Sequence, residues 1–135
     1  GGCVACDDCQ KNGGDCIMKD DTKQVMDKIY AVDAVIFASP VYWMGISAQL
    51  KALLDKFHSR SGLFKAQNKK LGIFAVGEDE LPNRQYELIN TQFDCVCEYL
   101  GWEKVFGYFY SANLPGELSK SEKASKELSE AWKLF

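Results

Sequence analysis

The chain has one histidine, three prolines and no apolar run near the ~20 residues that cross a bilayer. A single imidazole, His58, cannot build a multi-histidine zinc site, and no Ser–His–Asp arrangement can be traced from it. An excess of either charge is also missing: 16 Lys and Arg stand against 19 Asp and Glu, a net charge of −3. Lys69-Lys70 is the only adjacent basic pair. This balance gives no electrostatic footing on nucleic acid or an anionic membrane. The first residues lack the basic-then-apolar pattern of a secretory signal. A reducing cytoplasm is the expected setting.

Cysteine is what the sequence concentrates. Cys3, Cys6, Cys9 and Cys16 open the chain with gaps of two, two and six residues. Thiols at every third position of a short loop can turn inward on one small object, and thiolates hold soft metal centres. The residues between them are mostly small or polar, so no core competes for the loop. A zinc site, an oxidised pair or a metal-free loop remain open. The third Cys after a second two-residue gap favours an iron–sulfur cluster. At 135 residues the chain does not need disulfide staples, and four clustered cysteines cannot tie distant segments together. Cys95 and Cys97 lie two apart on a predicted helix, where they point to different sides and read as buried structural thiols.

Hydrophobic periodicity predicts a single domain over 1–135, with the cysteine loop at 1–20. Val25, Met26, Ile29 and Tyr30 mark a helix over 22–31, preceded by Asp20-Asp21-Thr22 as its cap. The continuous apolar run 34–38 predicts a strand buried on both faces, stopped by Ser39-Pro40. Ile46, Leu50, Leu53, Leu54 and Phe57 predict one helix over 46–60, with His58 near its C-terminal end. A second buried strand covers 71–76 and ends at Gly77. A helix over 82–100 stops at Gly101. A third strand covers 104–110, and Ser119 with Glu122 predicts the capping box of a final helix. Strands alternating with helices build a parallel sheet covered on both faces, with ligands beyond the strand carboxyl ends.

Three segments occupy those ends: Ser39 to Trp43, Gly77-Glu78-Asp79 and Ser111-Ala112-Asn113. Pro40, Tyr42 and Trp43 outside a buried strand suit a flat aromatic ligand, or else form an aromatic lid on the fold itself. The stretch Ser39-Pro40-Val41-Tyr42-Trp43-Met44-Gly45, continued through Leu50-Lys51-Ala52 to Asp55-Lys56, resembles the flavin-binding segment of the flavodoxin-like, NADPH-dependent FMN reductase family. The family carries Arg at the position of Lys56. The cysteine loop followed by Asp20-Asp21 is similar to the iron–sulfur flavoprotein branch.

That resemblance implies a three-layer αβα fold and an FMN-dependent oxidoreductase or electron-transfer flavoprotein. FMN would lie against Ser39, Pro40, Val41, Tyr42, Trp43, Met44 and Gly45. Gly77 would leave room for the ring, with Glu78 and Asn113 nearby. Cys3, Cys6, Cys9 and Cys16 would hold a four-iron four-sulfur cluster. NAD(P)H or a ferredoxin-like donor would supply electrons. A homodimer or homotetramer would place Trp43 and Met44 at a subunit boundary. The family's opening strand, phosphate loop, helix and second strand are not found before the cysteines. The 135-residue chain alone is therefore expected to bind FMN poorly. A thiol-based metal- or redox-sensing module without flavin turnover is the alternative, and a zinc-stapled structural domain a weaker third.

Overall fold

The computed structural model describes residues 1–135. A one-turn helix, α1 (Asp8–Lys11), interrupts the cysteine loop, and α2 (Thr22–Ala31) follows it. The chain then runs through β1 (Ala34–Tyr42), β2 (Gly45–Ile46), α3 (Ala48–Asp55), α4 (Phe57–Lys65), β3 (Lys70–Gly77), α5 (Arg84–Leu100), β4 (Glu103–Ser111) and α6 (Glu122–Glu130). The sheet order is β2-β1-β3-β4; β1, β3 and β4 are parallel, and β2 turns back antiparallel on β1. Parallel neighbours need crossovers, which α3–α4 and α5 supply.

Alternation along β3 builds two cores. Leu71, Ile73 and Ala75 join Met26 and Ile29 of α2, Phe37 of β1, Phe57 and Phe64 of α4, and Ile89 and Phe93 of α5. On the other face Phe74 packs with Phe106 and Tyr110 of β4 and with Ala124 and Ala131. The Phe106 ring lies over Gly72, where a Cβ would come within 2.2 Å of it. Helices therefore cover both faces of a mostly parallel sheet, as the alternating pattern predicts. Gly101 ends α5 as expected, at φ 71°, while the start falls at Arg84, capped by Asn83, whose side chain accepts from Gln85 N–H at 3.1 Å.

Three expectations are corrected. β1 is covered on one face only: Phe37 and Ser39 are buried, but Ile36 is 44% exposed. The second core contains no β1 residue, so that face of the strand meets solvent. The helix predicted over 46–60 is two helices that meet at Lys56, and Arg60 inside α4 is itself non-helical at φ −116°. The cysteine loop packs against α4 just past that break. Gly14, at φ +89°, brings backbone so close to α4 that a Cβ would lie 3.0 Å from the Ser59 carbonyl. The cap of α6 is Ser121, which accepts from Ala124 N–H at 3.2 Å, whereas Ser119 turns back to the Gly116 carbonyl. No helix is long and apolar enough to cross a membrane.

Candidate functional site

The parallel register brings the three predicted strand ends together, with Pro40 beside Val76 and Gly77 beside Ser111. Ser39 is buried, and its Oγ accepts from Ser47 N–H at 2.9 Å. Ser47 in turn caps α3, accepting from Leu50 N–H at 3.3 Å. The first strand end and the first turn of α3 are thus tied by one pair of serines. Between them the chain forms a β-hairpin, Tyr42 opposite Gly45 and Val41 opposite Ile46.

Trp43 and Met44 form the tip at φ 43° and 69°. Two-residue hairpin turns with positive φ normally take Asn or Gly, so large side chains here carry backbone strain of order 1 kcal/mol each. Neither is repaid by burial, because Trp43 is 95% exposed and Met44 and Tyr42 are also exposed. The aromatic-lid alternative does not describe this tip: Trp43 stands in solvent and does not plug the strand mouth.

Gly77 is required by the fold itself. A Cβ there would meet Tyr86 Oη at 2.8 Å and Val41 Cβ at 3.0 Å, so the fold's own atoms demand the glycine. Tyr86 also donates to the Asp79 carbonyl at 2.6 Å, and Asp79 accepts from Gln85 Nε2 at 3.0 Å, which organises the acidic tip after β3. Glu78 is exposed, its carbonyl accepting from Ser111 Oγ at 3.1 Å. Asn113 is exposed, and its N–H donates to Glu117 at 2.7 Å.

Cys3, Cys6, Cys9 and Cys16 line one enclosed cavity of ≈ 20 Å³, shared with Lys56, His58 and Ser59. Cys9 is buried, Cys16 half-buried, and Cys3 and Cys6 exposed. No three His, Cys, Asp or Glu side chains converge tightly enough to hold one metal ion. A tetrahedral zinc would draw its sulfurs to ~2.3 Å of a single point. Thiolates of a four-iron cluster each bind a different iron, so four thiols around one cavity supply the number and kind of donors such a cluster takes. Two sulfurs already accept N–H bonds, Cys3 from Ala5 N at 3.4 Å and Cys9 from Gln10 Nε2 at 3.7 Å. Such bonds are one lever by which proteins tune cluster thiolates. At this volume the cavity holds about one water, so a larger guest requires Cys3 and Cys6 to move outward.

The start of α4 grips this loop, which the sequence alone did not reveal. Lys56, 3% exposed, donates to Asp20 and to Thr22 Oγ1 at 2.8 Å. His58 Nε2 lies 2.9 Å from Asp7 Oδ1, so His58 faces the cysteine loop from the first turn of α4 and does not end a helix. Arg60 pairs with Asp15 and, at 2.6 Å, with Asp27 of α2. The partners lie 33 to 51 residues apart in sequence, so no local spacing signals them.

The hydrogen bond from Arg60 holds the Asp15 carboxyl below its usual range, and that from Lys56 does the same more strongly for Asp20. Both groups stay ionised to lower pH in the folded chain. Their contribution is complete above the unfolded carboxyl value of ~3.9 and is lost as pH falls through the lower native values. Denaturation midpoints are therefore expected to hold from pH 7 to 5 and drop below pH ~4. The Asp15→Asn/Asp20→Asn double variant should drop less steeply.

Two broader concavities lie beside these features. One, ≈ 680 Å³, runs along α3 from Ala48 and Gln49 to Lys56, with Asp20 and Thr22 opposite. The other, ≈ 550 Å³, lies between α4 and α5 and is lined by His58, Cys95 and Tyr99 among others. Cys95 is exposed there, against expectation. Cys97 is buried as expected, and burial pushes its thiol up to about 11.

A parallel sheet covered by helices, with an exposed aromatic tip at its carboxyl edge, defines a flavodoxin-like protein. The chain belongs to the NADPH-dependent FMN reductase family, whose profile matches residues 3–91. It is 40% identical over 75 residues to an iron–sulfur flavoprotein of Methanocaldococcus jannaschii, covering 56% of this chain and 38% of that protein. Two solved structures share the fold. The Trp repressor binding protein from Bacillus subtilis aligns at TM-score 0.72 and 22% identity, covering 84% of this chain and 71% of that one. The apo form of an NADH:FMN oxidoreductase, EMOB, aligns at TM-score 0.63 and 21% identity over 90% of this chain and 60% of that one. The chain spans 24% to 65% of the length of the curated relatives it matches.

Proposed function

We propose that this chain is the flavin-contacting and thiol-bearing part of an FMN-dependent oxidoreductase reduced by NAD(P)H, with a four-iron four-sulfur cluster on Cys3, Cys6, Cys9 and Cys16. The observation that carries the reading is the strained, solvent-facing Trp43-Met44 tip at the carboxyl edge of the sheet, within the span that matches the family. A fold keeps such strain where the side chains serve contact. FMN, when bound, would accept a hydride and release electrons singly. Pro40, Val41 and Gly45 would border its ring and Tyr42 and Trp43 would stack on it, while the Ser39–Ser47 bond fixes the wall they stand on. Gly77, Glu78 and Asn113 would border the opposite side.

The cluster would carry single electrons, and the cysteines' share is to supply four thiolates under the N–H bonds described above. A homodimer or homotetramer closing over Trp43 and Met44 and a cytoplasmic setting complete the proposal, with a ferredoxin-like protein as the alternative electron donor to NAD(P)H. The thiol-sensing alternative gains no support from the relatives.

Anaerobic addition of NADPH to the full-length protein tests this: the flavin band should bleach. A full-length protein that purifies and titrates without flavin overturns the reading. Trp43→Ala should weaken FMN about tenfold in a fluorescence titration, the equivalent of one lost stacking contact of ~1–1.5 kcal/mol. Unchanged affinity removes Trp43 from the site.

A further inference from the structure

We propose that Arg60 and Lys56 are positioning residues for the thiol site: they fix residues 7–20 on α4, with Cys9 and Cys16, before any metal binds. Cys3 and Cys6 are left to close on the guest. The proposal takes the four thiols as one ligand set, in line with the reading above.

A buried charge is strongly destabilising unless it is paired. The Arg60 side chain is only 8% exposed, and both its partners are carboxylates, Asp15 in the loop and Asp27 on α2. One guanidinium therefore joins three segments. Lys56 is buried too and fastens the far end of the loop through Asp20 and Thr22. Gly14, just before Asp15, seats the loop backbone against Ser59.

The anchors at Asp15 and Asp20 bracket Cys16, and Cys9 lies between Asp15 and Asp7, which His58 Nε2 meets at 2.9 Å. Cys9 is further fixed by its own carbonyl, which accepts from Asn12 N–H at 3.1 Å and Gly14 N–H at 3.0 Å. No ion pair or side-chain hydrogen bond ties residues 3–6 to α4. Cys6 sits between Ala5 and Asp7, both at positive φ, and the hydrogen bond beside it, Ala5 N–H to Cys3 Sγ, is local. Ligand groups placed in advance spare the ordering entropy that metal binding to a loose loop must overcome. Here that cost falls on the short arm alone.

Hydrogen–deuterium exchange of the reduced, metal-free full-length protein tests the placement. Peptides within 8–20 should exchange ~10-fold or more slowly than free chain, and Arg60→Met should remove that protection while β3 stays protected. A metal-free loop that exchanges as free chain, or protection that survives Arg60→Met, overturns the proposal. If Arg60→Met also exposes β3, Asp15→Asn makes the same comparison and leaves Arg60 paired with Asp27. Cobalt(II) titration, read at the thiolate charge-transfer bands, gives a second measure. Arg60→Met should bind ~10-fold more weakly and Lys56→Arg nearly normally; equal affinity in Arg60→Met overturns a positioning role. Iron and sulfide analysis judges the cluster separately. A protected loop without iron would remove the cluster and keep the placement, and an iron-loaded protein with an unprotected metal-free loop would do the reverse.

Discussion

Anaerobically prepared Cys9→Ser protein is expected to lose iron and labile sulfide together, from a full cluster complement to almost none. Serine nearly matches the shape of cysteine, so the fold should survive, but its oxygen is a harder, far more basic donor than a thiolate. Cys9 is the most enclosed of the four N-terminal thiols, and Gln10 Nε2 and the α1 turn aim it into the shared cavity. Cys95→Ser is the matched control, since that thiol opens into the groove between α4 and α5. Iron content by elemental analysis and sulfide by colorimetry give the readout. Full iron in Cys9→Ser, or equal loss in Cys95→Ser, would remove Cys9 from the ligand set.

Phe64→Ala is expected to lower unfolding free energy by about 3–5 kcal/mol, the usual result of emptying an aromatic site in a packed core. Phe64 is 0% exposed, with ring centroids 5.2 Å from Phe57 and 5.4 Å from Trp102, both edge-on. Trp102 Nε1 donates to the Phe64 backbone carbonyl at 3.0 Å, a bond that survives the truncation, so the loss falls on ring packing. The loss bears on function because α4 carries Lys56, His58 and Arg60 at its start and is held to the core by Phe57 and Phe64. Urea denaturation followed by Trp fluorescence would measure it. A loss under ~1 kcal/mol would mean that neighbouring rings refill the space.

How much of this was legible depended on how local each cause is. The strand over 71–76 and the helix ending at Gly101 were readable because unbroken apolar character and an αL glycine act within a few residues. The cysteine spacing likewise announced its loop. The break at Lys56 was not readable, since an apolar stripe from Ile46 to Phe57 looks continuous until Asp20 and Asp15 are known to face it. The hairpin was missed because its tip is Trp-Met, where the usual signal is Asn-Gly. Cys95 and Cys97 shared one expectation, yet residues two apart on a helix sit ~200° around its axis, and only one of the pair faces the core. β1 read as doubly covered because composition reports how apolar a strand is, not whether a helix lies over it.

One feature of the crossover sets a scale for the chemistry. The eight residues of α3 separate Ser47, bonded to the strand mouth, from Lys56, on the wall of the thiol cavity. Eight residues of helix span ~12 Å. That rigid rod would act as a ruler between the proposed flavin and the proposed cluster, keeping the strand mouth and the thiols one helix length apart.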